Sequence, residues 1–287
     1  MGCNKSFVSN IWKCPFCGEK PINMHGYIAF APRLAEQNTM FNSCSFKLLI
    51  KFEPTNFWFR ARNKLIVWAL QKYFPNMKSF FEIGCGTGFV LSGVAKKFPN
   101  TQLYASDIYS CALKYAGQRV PRANLLQMDA RNIPFANEFD VIGMFDALEH
   151  IQEDTVALSE IYKALKPGGG IILTVPQHPF LWSKNDEYGH HCRRYTANDL
   201  INKLQKAGFA IIKKTSFVSL LLPIMLLSRL KQKRDKDFDP VVEFKINKLV
   251  NFTLEKLLDL ERFFIRTKVN LPIGGSLLII AQKPNNS

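Results

Sequence analysis

From Ser79 onward, short apolar runs alternate with longer stretches of helical spacing. SFFEI, QLYASD, NLLQMD, FDVIGMF and GIILTV read as strands, and FVLSGVAKKF, SCALKYAGQR and DTVALSEIYKAL as the helices between them. Strands separated in this way predict a parallel α/β sheet. After Pro176 the pattern gives way to a polar and aromatic loop, QHPFLWSKNDEYGHHCRRY. Thr196-Ala-Asn-Asp199 then reads as a capping box opening the helix LINKLQKAG, with Gly208 as its stop. A strand, AIIKKTSF, comes next, and the last strand-like run is Ser276 to Lys283.

Residues 218–271, between those two strands, read as a helical insertion. Val242, Ile246, Leu249, Val250, Leu257, Leu260 and Phe264 recur there at helical spacing and predict one or two amphipathic helices packed by these residues. Phe217 to Arg234 is the most apolar run, and Pro223 is expected to break or kink any helix in it. Its end is basic, with Arg229, Lys231, Lys233, Arg234 and Lys236. Such a run is too short to span a bilayer. It reads as a cover over a pocket or as a segment lying in a membrane interface. Upstream, Asn56 to Phe74 predicts a helix with an aromatic and basic start. The chain therefore divides into an N-terminal extension, 1–50, and one large domain, 51–287, with a core at 78–217 and 275–283.

Charge sharpens this picture. The net charge is +15, with 10 basic and 3 acidic residues over 1–76, 9 and 10 over 77–175, and 19 and 10 over 176–287. Basic flanks around a neutral middle point to an anionic partner, a lipid headgroup or an acidic substrate before nucleic acid. Seven cysteines in irregular placement do not form a disulfide framework. With no signal-peptide pattern and no apolar run of about 20 residues, the reading is a cytoplasmic protein, with peripheral membrane contact left open.

The candidate chemistry begins where the strand SFFEI runs into Glu82-x-Gly84-x-Gly86-x-Gly88 and then a helix. Glycines there let the backbone approach a ligand, and a helix N-terminus offers N–H donors to an anionic group. Phosphate, dinucleotide and nucleoside ligands all qualify. A phosphate loop of the nucleotide triphosphatase type needs Gly-Lys-Ser/Thr, where this chain has Gly88-Phe89-Val90; the third glycine of the dinucleotide fingerprint falls where Phe89 stands.

The spacing, together with the core motifs downstream of it, resembles the Rossmann-like class of S-adenosylmethionine-dependent methyltransferases over residues 78–217 and again at Ser276 to Lys283. The resemblance implies a seven-stranded, mostly parallel sheet with helices on both faces and an antiparallel last strand. It implies that Glu82, Gly84, Cys85, Gly86 and Gly88 border the methionine and ribose of the cofactor. Asp107 would accept the ribose hydroxyls, Asp129 would lie near the adenine between Met128 and Ala130, and Phe145 and Asp146 would line the pocket floor.

With a methyl group already activated, the protein's task is to align a nucleophile and exclude water. A hydroxyl acceptor of high pKa also needs a base, which makes His150 in DALEHI and His191 in GHHCRRY the candidate catalytic residues. Trp182, His190, Arg193, Arg194 and Tyr195 are candidate acceptor contacts, the arginines through forked hydrogen bonds to a carboxylate or phosphate. NFWFRARN and HPFLW resemble a bacterial methyltransferase subgroup with an N-terminal CPxCG knuckle, which names a reaction and leaves the acceptor a small molecule or lipid-linked molecule. Cys14-Pro-Phe-Cys17-Gly18 offers two thiolates, half of a tetrahedral zinc site, with Cys3, His25 and Cys44 as completing ligands. Met1 to Ser6 also fits the N-myristoylation pattern. The rival readings are a nicotinamide-dependent oxidoreductase on the same kind of fold and a non-catalytic basic module for membrane or nucleic acid.

Overall fold

The computed structural model describes residues 12–37, 43–234 and 245–285. The Met1 to Ser6 pattern, Cys3, Lys236 and Val242 lie outside the described residues, as do the side chains of Cys44, Lys231, Lys233 and Arg234.

The expected strands form at Ser79–Ile83 (β3), Gln102–Asp107 (β4), Asn124–Gln127 (β5), Phe139–Phe145 (β6), Leu165–Pro176 (β7), Ala210–Phe217 (β8) and Ser276–Gln282 (β9). β3 is buried along all five of its residues, as a central strand covered on both faces must be. These seven run in the order β5-β4-β3-β6-β7-β9-β8, parallel except for β9, which is antiparallel to both β7 and β8.

The N-terminal segment adds to the same sheet. Ile22–Met24 (β1) and Tyr27–Ala29 (β2) form a hairpin whose second strand pairs in parallel with β5, extending the sheet to nine strands. Gln127 ties the junction, its side chain accepting from the amide of Ala31 and donating to the Ala31 carbonyl. Pro32–Gln37 (α1) and Ser43–Phe52 (α2) come after the hairpin.

Helices cover both faces. Phe57–Tyr73 (α3), Phe89–Lys97 (α4) and Ser110–Arg119 (α5) pack on one side, around Ile66, Leu70, Phe80, Leu91 and Leu103. Asp154–Ala164 (α6) and Ala197–Lys206 (α8) pack on the other, around Phe81, Leu158, Ile161, Leu200 and Leu204. The short helix Lys184–Tyr188 (α7) lies in the loop after β7. α3 starts at Asn56, whose side chain accepts from the Trp58 amide, and α8 starts at Thr196, which accepts from the Asp199 amide.

Two expectations for the insertion are corrected. Pro223 is the second residue of the helix Leu222–Arg234 (α9) and does not break it. In the first turn a proline lacks only an N–H that the helix leaves unpaired in any case. The second helix, Lys248–Arg266 (α10), faces the protein with Leu258, Glu261 and Ile265, beside partly buried Leu254 and Leu257, so of the residues picked from periodicity on this helix only Leu257 packs inward. Leu249, Val250, Leu260 and Phe264 are exposed, together with Phe252 and Phe263. α3 packs on the inward side of α10, with Ala61 and Leu65 in one core cluster with Leu258 and Ile265, and Arg60–Glu255, Lys64–Glu255 and Lys64–Asp259 ion pairs tie the two helices. No helix among the described residues is long and apolar enough to cross a membrane.

Candidate active site

β3 feeds a turn in which Gly84, Gly86 and Gly88 hold φ of +70°, +52° and +74°. L side chains rarely adopt that backbone, which is why three glycines stand there. A Cβ on Gly84 would lie 2.6 Å from the Cβ of Ala147, and one on Gly88 would lie 2.9 Å from the Cα of Ala116. A Cβ on Gly86 would meet nothing within 4 Å. The outer glycines thus admit neighbouring chain, while the middle one faces open space in which a ligand can lie against bare backbone. The Gly86 amide donates to Asp107 Oδ2 at 2.8 Å and the Tyr109 amide to Oδ1 at 2.9 Å. Asp107 therefore pins the turn to the end of β4, and each of its oxygens keeps a lone pair for a further donor. Burial pushes its carboxyl up to about 6, against the backbone N–H groups of Tyr109, Gly86 and Ile108.

Glu82 precedes this turn and is buried, and its Oε2 has no hydrogen-bond partner among the described residues. Burial pushes its carboxyl up to about 8, with Arg62 opposing and Asp107 and Glu53 adding to the rise. Arg62, on α3, crosses to the end of β6: its Nε lies 2.6 Å from Asp146 Oδ2, and its Nη2 donates to the Phe145 carbonyl at 3.0 Å. Asp146 has φ of +51° and also accepts from Thr174 Oγ1 at 3.0 Å. Beside the turn, Thr87 Oγ1 lies 2.7 Å from both oxygens of Glu53, and Arg119 donates to Glu53 and Thr87. That buried group joins α2 and α5 to the glycine turn.

A second group of charged side chains comes from the loops after β6 and β7. Glu149, in a single turn of 3₁₀ helix at Leu148–His150, is fully buried, and neither carboxylate oxygen has a hydrogen-bond partner among the described residues. Burial, and then the Asp146 charge, hold its carboxyl well above the usual range. His150 is pushed down to about 4 by burial, with His191 adding to the shift. The two imidazoles meet edge to face with centroids 4.7 Å apart. His191 Nδ1 lies 2.9 Å from Asp186 Oδ1, and its Nε2 lies 4.0 Å from Glu149 Oε1. Asp186 is itself buried and accepts from the Ser183 amide, the Ser183 hydroxyl and Arg194 Nε. Burial works against its ionised form, but His191 and Arg194 hold it below the usual carboxylate range.

Residues 81–173 match the family model described as "Methyltransferase domain". They form a class I S-adenosylmethionine-dependent methyltransferase domain. The chain is 26% identical over 114 residues to the malonyl-[acyl-carrier protein] O-methyltransferase of Priestia megaterium, covering 39% of this chain and 42% of that one. It is 28% identical over 135 residues to the chloroplastic 2-methyl-6-phytyl-1,4-hydroquinone methyltransferase 1 of Oryza sativa subsp. japonica, covering 46% and 41%. The chain thus spans about two fifths of the length of either relative. The fold matches that of Haemonchus contortus phosphoethanolamine N-methyltransferase 2 in complex with S-adenosyl-L-methionine, with a TM-score of 0.59, 20% identity, and coverage of 88% of this chain and 60% of that one.

Within the methyltransferase domain, Glu82, Gly84, Cys85, Gly86, Gly88 and Asp107 come together at the ends of β3 and β4, and Met128, Asp129 and Ala130 lie at the end of the adjacent β5. Cys85, Met128 and Ala130 are buried. Asp129 is engaged by Arg131 through a forked pair of hydrogen bonds. Phe145 and Asp146 close β6 on the other side of β3. The residue set fits the cofactor on two grounds: open space over Gly86, and a paired acceptor at Asp107 beside it.

The loop after β7 holds the residues expected to contact the acceptor. Tyr195 is fully buried and donates its hydroxyl to Asp154 at 2.8 Å. Arg193 lies 2.6 Å from the same carboxylate and donates to the Gln152 carbonyl, while Arg194 is held by Asp186 and the Gln177 carbonyl. Buried acids demand compensation, and Asp154 at the head of α6 engages Arg193 and Tyr195 while Asp186 in the loop engages Arg194, so all three side chains fasten the loop. Trp182 is half-buried and His190 exposed with φ of +53°. Cys14 is buried and Cys17 exposed. Of their expected completing ligands, Cys3 and the side chain of Cys44 lie outside the described residues, and the group of three with metal-ligating geometry among the described residues is Glu149, His150 and His191.

Sequence reading missed Arg62, Glu53, Thr87, Arg119 and Asp186. The available signal was a charged residue set among apolar ones, as in NFWFRARN and LLIKFEP, where burial of the neighbours drags the charge inward and requires a partner.

Proposed function

We propose that the protein transfers the methyl group of S-adenosylmethionine to a small-molecule acceptor. The observation that carries this reading is the glycine turn whose middle residue faces open space while Asp107 holds it from beneath. Glu82 and Asp107 would hold the amino acid and ribose ends of the cofactor, with Met128 and Ala130 against the base. The cofactor supplies a methyl group activated on a sulfonium. The chain's own work is to hold it at the strand ends, to exclude water and to present the acceptor. Glu149, His150 and His191 form the wall from which the acceptor is presented, His150 and His191 being the catalytic residues in this reading.

The acceptor we favour is lipid-borne. Leu220, Ile224 and Leu227 around α9, and Leu249, Phe252 and Phe263 on α10, are all exposed, and exposed Lys245, Lys248, Lys256 and Lys268 stand among or beside the α10 residues. Apolar side chains ringed by lysine suit the headgroup boundary of an anionic bilayer. A phytyl-bearing hydroquinone is in the name of one relative, and a malonyl-carrier protein in the name of another. The apolar face favours the former kind.

Incubating the protein with methyl-labelled cofactor and a cell's lipid and metabolite extracts tests the reaction. Label appearing in an extracted compound supports it. A protein that binds NADH and not S-adenosylhomocysteine would overturn it in favour of hydride transfer.

A further inference from the structure

Three carboxylates stand where the chain leaves β6 and β7, and two of them are neutralised. Asp146 is paired with Arg62, and Asp186 with Arg194. Glu149 is the third. It is fully buried, neither oxygen has a hydrogen-bond partner among the described residues, and His191 Nε2 stands 4.0 Å from its Oε1. A buried carboxylate left in that state is costly. Protonation alone does not repair it, because a carboxylic acid still needs an acceptor for its hydrogen and a donor for its carbonyl.

The neighbours of Glu149 are arranged as ligands. One donor atom from each of Glu149, His150 and His191 lies within 4.8 Å of the others. The Nδ1 of His191 lies 2.9 Å from the buried Asp186 carboxylate, which fixes the proton on that nitrogen and leaves the Nε2 lone pair turned toward Glu149. A carboxylate behind a histidine in this way is the usual support of a metal-bound imidazole, setting its tautomer and raising its basicity. Asp186 is in turn held by Ser183 and Arg194, so the histidine is braced from behind. Two imidazoles and one carboxylate are a donor set suited to a divalent transition ion, and three protein ligands leave coordination positions open.

We propose that Glu149, His150 and His191 bind a divalent transition cation whose open position takes the acceptor's oxygen. A cation about 2.1 Å from each donor places the donors roughly 3.0–3.5 Å apart, so the cluster closes by about 1 Å on loading. A Cβ on Gly84 would lie 2.6 Å from that of Ala147, the residue that precedes the turn carrying Glu149 and His150, so the site adjoins the glycine turn. The cation lowers the pKa of a hydroxyl bound to it, and the hydroxyl proton leaves to solvent, with no change of oxidation state. This rests on the methyl-transfer reading only for the acceptor; the cation site itself does not.

The test uses the full chain, stripped with chelator, dialysed, and titrated with Co²⁺ followed by visible absorption and equilibrium dialysis. One Co²⁺ per chain is expected, with Glu149→Gln and His191→Asn each weakening it at least tenfold. The double variant Cys14→Ser, Cys17→Ser should bind Co²⁺ as the wild type does. Wild-type protein that retains no Co²⁺ below millimolar concentration overturns the proposal, and that measurement does not depend on any variant folding. So does undiminished binding by folded Glu149→Gln and His191→Asn, or loss of binding in the cysteine variant. S-adenosylhomocysteine binding is measured alongside by calorimetry. Binding of S-adenosylhomocysteine with no binding of the cation sinks this proposal alone, and the converse sinks the methyl-transfer reading alone.

Discussion

The amide of Gly86 and Oδ2 of Asp107 lie 2.8 Å apart, so a single hydrogen bond joins the tip of the glycine turn to the carboxylate that ends β4. The same carboxylate carries the Tyr109 amide on its other oxygen. Asp107 is thus both the brace of the turn and, in the proposed reaction, the acceptor for two ribose hydroxyls. Asp107→Ala is expected to weaken S-adenosylhomocysteine binding by about 1 to 3 kcal/mol, through loss of a charged acceptor in a partly desolvated site. Calorimetry on the folded variant reads this directly, and unchanged affinity would remove Asp107 from the site.

The pH dependence of that affinity comes from the same group. Asp107 titrates near 6 in the free protein, and only its ionised form accepts two hydroxyls. Affinity should therefore fall as pH drops below about 6, approaching tenfold per unit, and be flat with respect to this group above it. The comparison is with Asp107→Asn across the same range. Parallel curves for the two proteins would refute the assignment.

Glu82 gives a stability prediction of defined sign. Its carboxyl titrates near 8 in the folded chain against an ordinary value of 4.5, so folding favours the protonated form. That contribution is fully present below about pH 4.5 and is lost as pH rises through the folded value of about 8. The difference in melting temperature between wild type and Glu82→Gln should therefore shift steadily in favour of the variant across that window, measured without ligand by circular dichroism. A difference independent of pH would mean that Glu82 is not a buried, protonated acid.

The exposed face of the insertion makes the fourth prediction. Leu221 and Leu222 are buried, so polar substitutions there would damage the core, whereas Leu249, Phe252 and Phe263 are exposed and can be changed without that effect. Co-sedimentation with anionic vesicles at low salt is expected. It should weaken at high salt and with neutral lipid, and the triple serine variant at these three positions should lose it. No sedimentation with anionic vesicles at low salt would exclude the interface.

Much of this fold was legible in the sequence. Strands buried on both faces are apolar throughout, so β3, β6 and β7 announce themselves, and a turn needing positive φ at alternate positions shows as glycines at Gly84, Gly86 and Gly88. Thr196 and Asp199 likewise mark the start of α8, because a helix cap is settled between residues close in the chain. The candidate cofactor residues were readable for the same reason: each stands at the end of a strand that the pattern already located.

Partners were the part that spacing left out. Arg193, Arg194 and Tyr195 read as acceptor ligands in a linear reading, and only the fold brings Asp154 and Asp186 against them. Periodicity detected α10 but could not separate Leu257, which packs inward, from Leu249, Val250, Leu260 and Phe264, which stay exposed, since that depends on where α3 and β8 lie. The hairpin at Ile22–Ala29 could not be placed on the sheet edge before β5 was. His150 and His191, 41 positions apart, were each visible, but their closeness to Glu149, and the orphaned state of that carboxylate, exist only after two loops have folded over the ends of β6 and β7. Spacing along a chain encodes contacts among near neighbours. Burial, charge pairing and the sharing of a ligand are properties of distance in space, which the tertiary structure alone decides.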